Sequence, residues 1–214
     1  MSHSIYENIT QIRQEIGNTE LVVVSKYRSI EELNEVYEAN QRNFAENRVQ
    51  ELTKKKELMP DDIHWHMIGH LQTNKVKFIA PFIHLIQSVD RIKLLKEINK
   101  EAKKNNRVIP ILFQVHIAEE EHKFGFSISD LKAIIKSNLL SEFNNIKVKG
   151  LMGMATNTTD KKIVTSEFTK LNSFFDKWKN QMKWSTLSMG MSGDYIEAIE
   201  SGSTLIRVGS KIFQ

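Results

Sequence analysis

Apolar positions along this chain switch repeatedly between two spacings. Ile5, Ile9, Ile12 and Ile16 recur at helical intervals, opened by a Ser4-Ile5-Tyr6-Glu7 capping box and stopped by Gly17. Leu21-Val22-Val23-Val24 then forms a continuous apolar run, mostly β-branched, which predicts a strand buried on both faces at 21–25. Ser29 and Glu32 make a second capping box, predicting a helix over 30–39 with Leu33, Val36 and Tyr37 inward. A short strand near 43–45 leads into a helix over 47–58. A strand at 64–68 precedes a short helix at 74–80, ended by Pro81. The next strand is 83–87, followed by a helix capped by Asp90 and running to about Lys104. After a strand at 110–116, Ser129 or Asp130 opens a helix. A strand at 147–152 leads to a long helix from Thr159 or Asp160, with Phe168, Leu171, Phe174, Phe175 and Trp178 on its apolar face. A strand at 186–189, a helix over 194–201 and a strand at 204–208 complete the series.

Eight strands, nearly all separated by helices, imply a parallel sheet, and eight such units can close a barrel. A doubly wound open sheet is the alternative, but it leaves unpaired edges and usually uses fewer strands. The expected fold is α/β: a single-domain (β/α)8 TIM-type barrel over 1–214 with an extra N-terminal helix. Only four residues follow Ser210, too few for an outer helix after strand eight, so the N-terminal helix is expected to cover that gap.

Composition narrows the chemistry. There is no cysteine, hence no disulfide, thiolate metal site or cysteine nucleophile. The first residues lack a signal-peptide pattern and no apolar run reaches membrane-spanning length, so a cytoplasmic protein without a membrane partner is expected. A net charge of +4 and a pI near 9.1 invite a nucleic-acid reading. The lysines, however, are spread through helices, as in Lys54-Lys55-Lys56 and Lys103-Lys104, with Glu51, Glu57 and Glu101 close by. That suits solvated helix faces better than a basic stripe, and no nucleic-acid partner is expected.

In a parallel barrel all C-terminal strand ends meet on one face. Here Lys26 follows strand one and Asn47 follows strand two. Ser188-Met189-Gly190-Met191-Ser192-Gly193 follows strand seven, and Arg207-Val208-Gly209-Ser210 closes strand eight. Loops after strands seven and eight are the usual phosphate site of this architecture, because N–H groups at glycine turns and helix starts favour anions. A lysine at a strand's exit is most simply a solvent marker. An amine nucleophile opposite a phosphate cup, in contrast, suits a phosphorylated aldehyde, and pyridoxal 5′-phosphate (PLP) meets that description.

Six segments carry a more specific signal: Val24-Ser25-Lys26, Glu46-Asn47-Arg48-Val49-Gln50-Glu51, Trp65 to Gly69 with Leu71 to Lys75, Gly150-Leu151-Met152, Leu187 to Ser192, and Arg207 to Phe213. In this order they resemble the pyridoxal phosphate homeostasis proteins, also called the proline-synthetase co-transcribed family. The resemblance implies a single PLP-binding barrel of fold type III, like the barrel domain of alanine racemase without its second domain. It implies that Lys26 holds PLP as an aldimine, a Schiff base. It places Asn47 beside the ring, Arg207 at the pyridine nitrogen, and Ser192, Gly209, Ser210 and Ser188 in the phosphate cup. It further implies a role in vitamin B6 homeostasis; PLP-requiring apo-enzymes are the expected partners, and a monomer is expected. Ala45, His70 and Ser210 depart from the residues usual in the family, without removing a group that must bond to the cofactor.

Other residues have competing readings. His64 and His66 point the same way on a strand, as a metal pair would, but strand eight brings Arg207 where metal hydrolases need a carboxylate. His84 and His116 are the remaining candidate ligands, with no acidic residue placed beside either, so buried, hydrogen-bonded histidines are the better account and no metal is expected. Gln72 to Lys75 is either the cap of a short helix or a contact at the barrel mouth, and Lys123 is a further candidate near that mouth. Met152, Met154, Met189 and Met191 suit packing around an aromatic ring. Racemases need a base on each face of their substrate, and no tyrosine other than Tyr27 falls at a strand end. No catalytic residue is therefore assigned. A PLP carrier is expected, with a weak PLP-dependent racemase or decarboxylase as the alternative.

Overall fold

The computed structural model describes residues 4–120 and 124–214. The apolar runs form eight parallel strands: β1 (Glu20–Val24), β2 (Asn43–Glu46), β3 (His64–Met67), β4 (Leu85–Val89), β5 (Ile109–His116), β6 (Ile146–Met154), β7 (Thr186–Ser188) and β8 (Leu205–Val208). Each pairs with its neighbours in chain order, and β8 returns to β1 through Val22↔Arg207 and Val23↔Val208. Closure leaves no strand edge, which decides against the open sheet.

Helices alternate with the strands: α1 (Ile5–Ile16), α2 (Ile30–Glu38), α3 (Val49–Leu58), α4 (Val76–Ile79), α5 (Ile92–Lys104), α6 (Ile128–Lys136), α7 (Lys161–Met182) and α8 (Tyr195–Glu200). The main core lies between the strands and this helical shell, where Phe44, Trp65, Phe113 and Phe168 are fully buried. Burying one such side chain contributes roughly 1.5–3 kcal/mol. Inside the barrel the apolar clusters are small, Val22 with Ala45 and Leu205, and Leu85 with Leu112 and Met152. That leaves room for polar groups along the axis.

The capping boxes at Ser4 and Ser29 form as the spacing predicts. α1 covers the gap after β8: Asn8 Nδ2 donates to Ile212 O at 3.0 Å, and Tyr195 of α8 hydrogen-bonds Glu15. Other boundaries differ. α6 begins one capping box earlier than expected, with Ser127 as the cap and Asp130 at its third position. α5 starts after Arg91 with no side-chain cap, because the Asp90 carboxylate is taken by His70 and Arg91 instead. β4 (Leu85–Val89) is shifted two residues from the expected 83–87, because the buried polar Ser88 continues the strand beyond its apolar run. α3 starts at Val49, which leaves Asn47 in a loop.

Candidate functional site

Three loops at the carboxyl end of the barrel are shaped by contacts beneath them. Ser25, the first residue beyond β1, is held from two sides. Its Oγ donates to Glu46 Oε1 at 2.7 Å, and its carbonyl accepts from Lys55 Nζ at 2.7 Å. Lys55 and Glu46 pair at 2.6 Å, both buried. Lys55 is thus not part of a solvated face as its neighbours suggested. Its side chain reaches the ends of β1 and β2, where its charge is matched by a carboxylate and a carbonyl. Lys26 follows, exposed, and the turn closes through Arg28 N donating to Ser25 O at 3.1 Å. Tyr27 takes the left-handed conformation in this turn, with φ 64°, which costs of order 1–3 kcal/mol for a bulky residue.

Asn47 stands beyond β2, against the loop leaving β3. Gly69 makes that approach feasible: a Cβ there would lie 2.1 Å from Asn47 O. At the other side, Ser192 Oγ accepts from Gly209 N at 3.2 Å and Lys211 N at 3.5 Å, binding the β7–α8 loop to the tail of β8. Asp194 Oδ1 accepts from Met191 N at 2.6 Å, and burial pushes its carboxyl above the usual range. The N–H groups of Ser192, Gly193 and Ser210 have no acceptor among the described residues. Together they form a cup of donors at a glycine turn, suited to an anion.

These elements enclose a cavity of about 530 Å³. Lys26, Asn47, Ser192, Arg207, Gly209 and Ser210 all line it. Ser188 does not. It is fully buried, and its Oγ accepts from Arg207 Nη1 at 2.5 Å and donates to Gln87 Oε1 at 2.7 Å. Ser188 therefore stands behind Arg207 rather than in the cup. Arg207 also donates to Gly153 O at 3.1 Å, and burial brings its pKa down to about 10, still protonated at neutral pH. Lys123 lies outside the described residues.

Several wall residues carried no signal strong enough to be selected from the sequence. His70 lines the cavity, its Nδ1 3.0 Å from Asp90 Oδ2 and its ring stacked on Phe124 with centroids 3.9 Å apart. Its departure from the family's usual residue was the available clue. Gln114, also in the wall, donates to Phe124 O at 2.9 Å. Of the four methionines expected to pack around a ring, Met154 and Met191 line the cavity, whereas Met152 and Met189 are fully buried outside its lining. Gln72 and Lys75 line an adjoining groove with Asn47 and His70, and no side chain of that segment caps the 3-10 turn at Thr73–Lys75.

The histidines of β3 are not arranged as ligands. Among the described residues no group of three or more His, Cys, Asp or Glu is placed to hold a metal ion. His66 Nδ1 receives the Gln87 amide at 2.9 Å, so its proton resides on Nε2. Burial, with positive charge on His84 and His64 adding to it, pushes its pKa down to about 3. Arg207, Ser188, Gln87 and His66 thereby form one hydrogen-bonded column along the barrel axis. No helix among the described residues is long and apolar enough to cross a membrane.

A closed parallel barrel with a lysine after its first strand and an anion cup after its last two is the architecture of the alanine racemase barrels. The family model described as "Alanine racemase, N-terminal domain" matches residues 2–214. Within that class, the chain belongs to the family of the pyridoxal phosphate homeostasis proteins. The protein of that name from Aquifex aeolicus is 38% identical over 98% of this chain and 94% of its own length. The structure of PipY from Synechococcus elongatus PCC7942, solved with PLP bound, superposes with a TM-score of 0.89 at 30% identity, covering 99% of this chain and all of that one. Alanine racemase from Bartonella henselae shares the fold, with a TM-score of 0.75 at 17% identity over 98% of this chain and 58% of that one.

Proposed function

We propose that this chain binds PLP in the cavity at the carboxyl end of the barrel, anchored covalently by Lys26. It would serve cytoplasmic PLP homeostasis as a monomer that passes the cofactor to apo-enzymes, without robust catalysis of its own. The observation that carries this reading is the convergence of Lys26, Asn47, Arg207 and an unused N–H cup on one cavity, in a chain whose named relatives match it almost end to end.

The donor set fits such a ligand. PLP brings an aldehyde that condenses with an amine, an aromatic ring, and a phosphate. Lys26 offers the amine. The N–H groups of Ser192, Gly193 and Ser210, with the two serine hydroxyls, offer donors to the phosphate. Asn47 provides an amide at the wall and Met154 and Met191 an apolar one. Arg207 stays protonated, so it can only donate, and it disfavours a second positive charge on a ring nitrogen beside it. An unprotonated ring is a weaker electron sink, which favours holding the cofactor over broad amino-acid chemistry.

The test is borohydride reduction of the PLP-loaded protein followed by mass mapping. A pyridoxyl group on Lys26, lost in a folded Lys26→Ala variant, supports the reading. A pyridoxyl group on another lysine, with Lys26 unmodified, overturns it.

Slow racemisation of a small amino acid has one observation on its side. His70, oriented by Asp90, stands in the cavity wall and could move a proton where a second base is needed. Following amino-acid chirality with wild type and His70→Ala separates the two: turnover that falls with His70→Ala favours the enzyme, and no turnover in wild type favours the carrier.

A further inference from the structure

The opposite end of the barrel holds a second cavity, of about 420 Å³, on which the PLP reading makes no demand. Its polar wall is Glu20, His66, His84, Lys149, Ser185 and Thr186.

Lys149 reaches this wall through an irregularity in β6. Ile111 pairs with Val148 and Leu112 with Gly150, so Lys149 is the extra residue of a bulge. Bulges re-aim a side chain, and they recur beside functional sites. Gly150 permits this one: its φ is 151°, and a Cβ would lie 1.8 Å from Thr186 O. Lys149 is half-buried and makes no ion pair among the described residues.

A second cation stands near this wall without lining it. Arg107 spends its guanidinium on two carbonyls, Ala80 O at 2.6 Å and Ile83 O at 2.7 Å. The positive field shows at His84, whose pKa is lowered first by burial and then by His64, Arg107 and Lys149. Glu20 is the single carboxylate of the wall. It accepts from Asn43 Nδ2 at 2.9 Å, and Asn43 in turn meets His64 at 3.2 Å. Desolvation raises the Glu20 pKa, and the charge of His64 offsets part of that rise. Lys149 is the one permanent cation of the wall, beside a single carboxylate, and this leaves room for a monoanion and little for a dianion.

His66 adds a donor. It is 1% exposed, its tautomer is set by Gln87, and its Nε2 has no partner among the described residues. A buried donor left unpaired costs about 1–3 kcal/mol, so a ligand acceptor that reaches it through a small shift of the wall would be stabilising. Leu85, Pro110 and Leu205 complete the wall with apolar surface.

We propose that this cavity at the amino end of the barrel binds a small aliphatic monocarboxylate, its oxygens held by Lys149, the hydroxyls of Ser185 and Thr186, and the His66 imidazole, its alkyl part against Leu85, Pro110 and Leu205.

The probe is sodium butyrate, added to the full-length, PLP-loaded protein with 15N-labelled histidine. Sodium chloride at equal ionic strength and sodium phosphate are the comparisons. The imidazole signals of His66 and His84, assigned with His66→Gln and His84→Gln, should shift saturably with butyrate. In Lys149→Met the affinity should fall about tenfold or more, as loss of a charge-assisted hydrogen bond implies. Lys149→Gln serves if Lys149→Met does not fold. The proposal is overturned by a response equal to that of chloride, by tighter binding of phosphate than of butyrate, or by an unchanged affinity in the folded Lys149 variant.

Discussion

Glu46 and Lys55 govern where Lys26 stands, although neither lines the cavity. Their side chains are 0% and 8% exposed, and Glu46 Oε2 has no partner among the described residues. Two buried charges offset their lost hydration only while both remain. Lys55→Met should therefore destabilise the protein by about 3–5 kcal/mol in denaturant titrations, by leaving Glu46 uncompensated. The double variant Glu46→Leu with Lys55→Met should recover much of that stability but lower the yield of pyridoxyl adduct, because Ser25 keeps only its contacts with Ala45 and Arg28. If the single and double variants are equally unstable, the pair acts on packing and not on charge. The pairing was not legible in the sequence, because Lys54-Lys55-Lys56 reads as one solvated face until the helix is docked.

At the level of elements, the anion cup is a joint product of the β7–α8 loop and the tail of β8. Ser192 has two duties there: it would donate to the phosphate, and it ties the loops by accepting from Gly209 and Lys211. Ser210 makes no such tie among the described residues. Each hydroxyl given to an anion contributes roughly 1.5–3 kcal/mol. Both serine-to-alanine variants should weaken PLP retention in equilibrium dialysis, with Ser192→Ala the weaker binder of the two. Pyridoxal lacking the phosphate should bind far less tightly than PLP, and equal affinities would remove the cup from the cofactor site. A local effect is expected at α6, where Ser127→Ala should cost about 1 kcal/mol through loss of its capping box.

Across the whole molecule, the polar column makes stability depend on acid. His66 has a pKa of about 3 when folded, against an ordinary value of 6.5. Between those values the unfolded chain binds the extra proton, so stability is full above about pH 6.5 and falls as the pH drops toward 3. The slope from this one residue approaches 1.4 kcal/mol per pH unit, as the order of one proton's linkage. His84, lowered for related reasons, adds in the same direction. Urea titrations over this range should show a flatter profile for His66→Gln than for wild type. An unchanged slope would mean that His66 is protonated in the native state.

Alternating hydrophobic periods determined the eight strands, their helices and the order of both, because each element must bury a face of its own and shows that need locally. The lysine after β1, the amide after β2 and the serine and glycine loops after β7 and β8 were legible for the same reason: strand ends are readable, and a parallel barrel gathers them. The tertiary structure decided what depends on partners far apart in sequence. It placed Ser188 behind Arg207 through contact with Gln87, drew Asp90 from its helix to His70, and buried Lys55 against Glu46. It also set the bulge that brings Lys149 to the far cavity. Local spacing records which face of an element is apolar. It does not record which distant polar group will satisfy a buried one, and that pairing exists only once the barrel has closed.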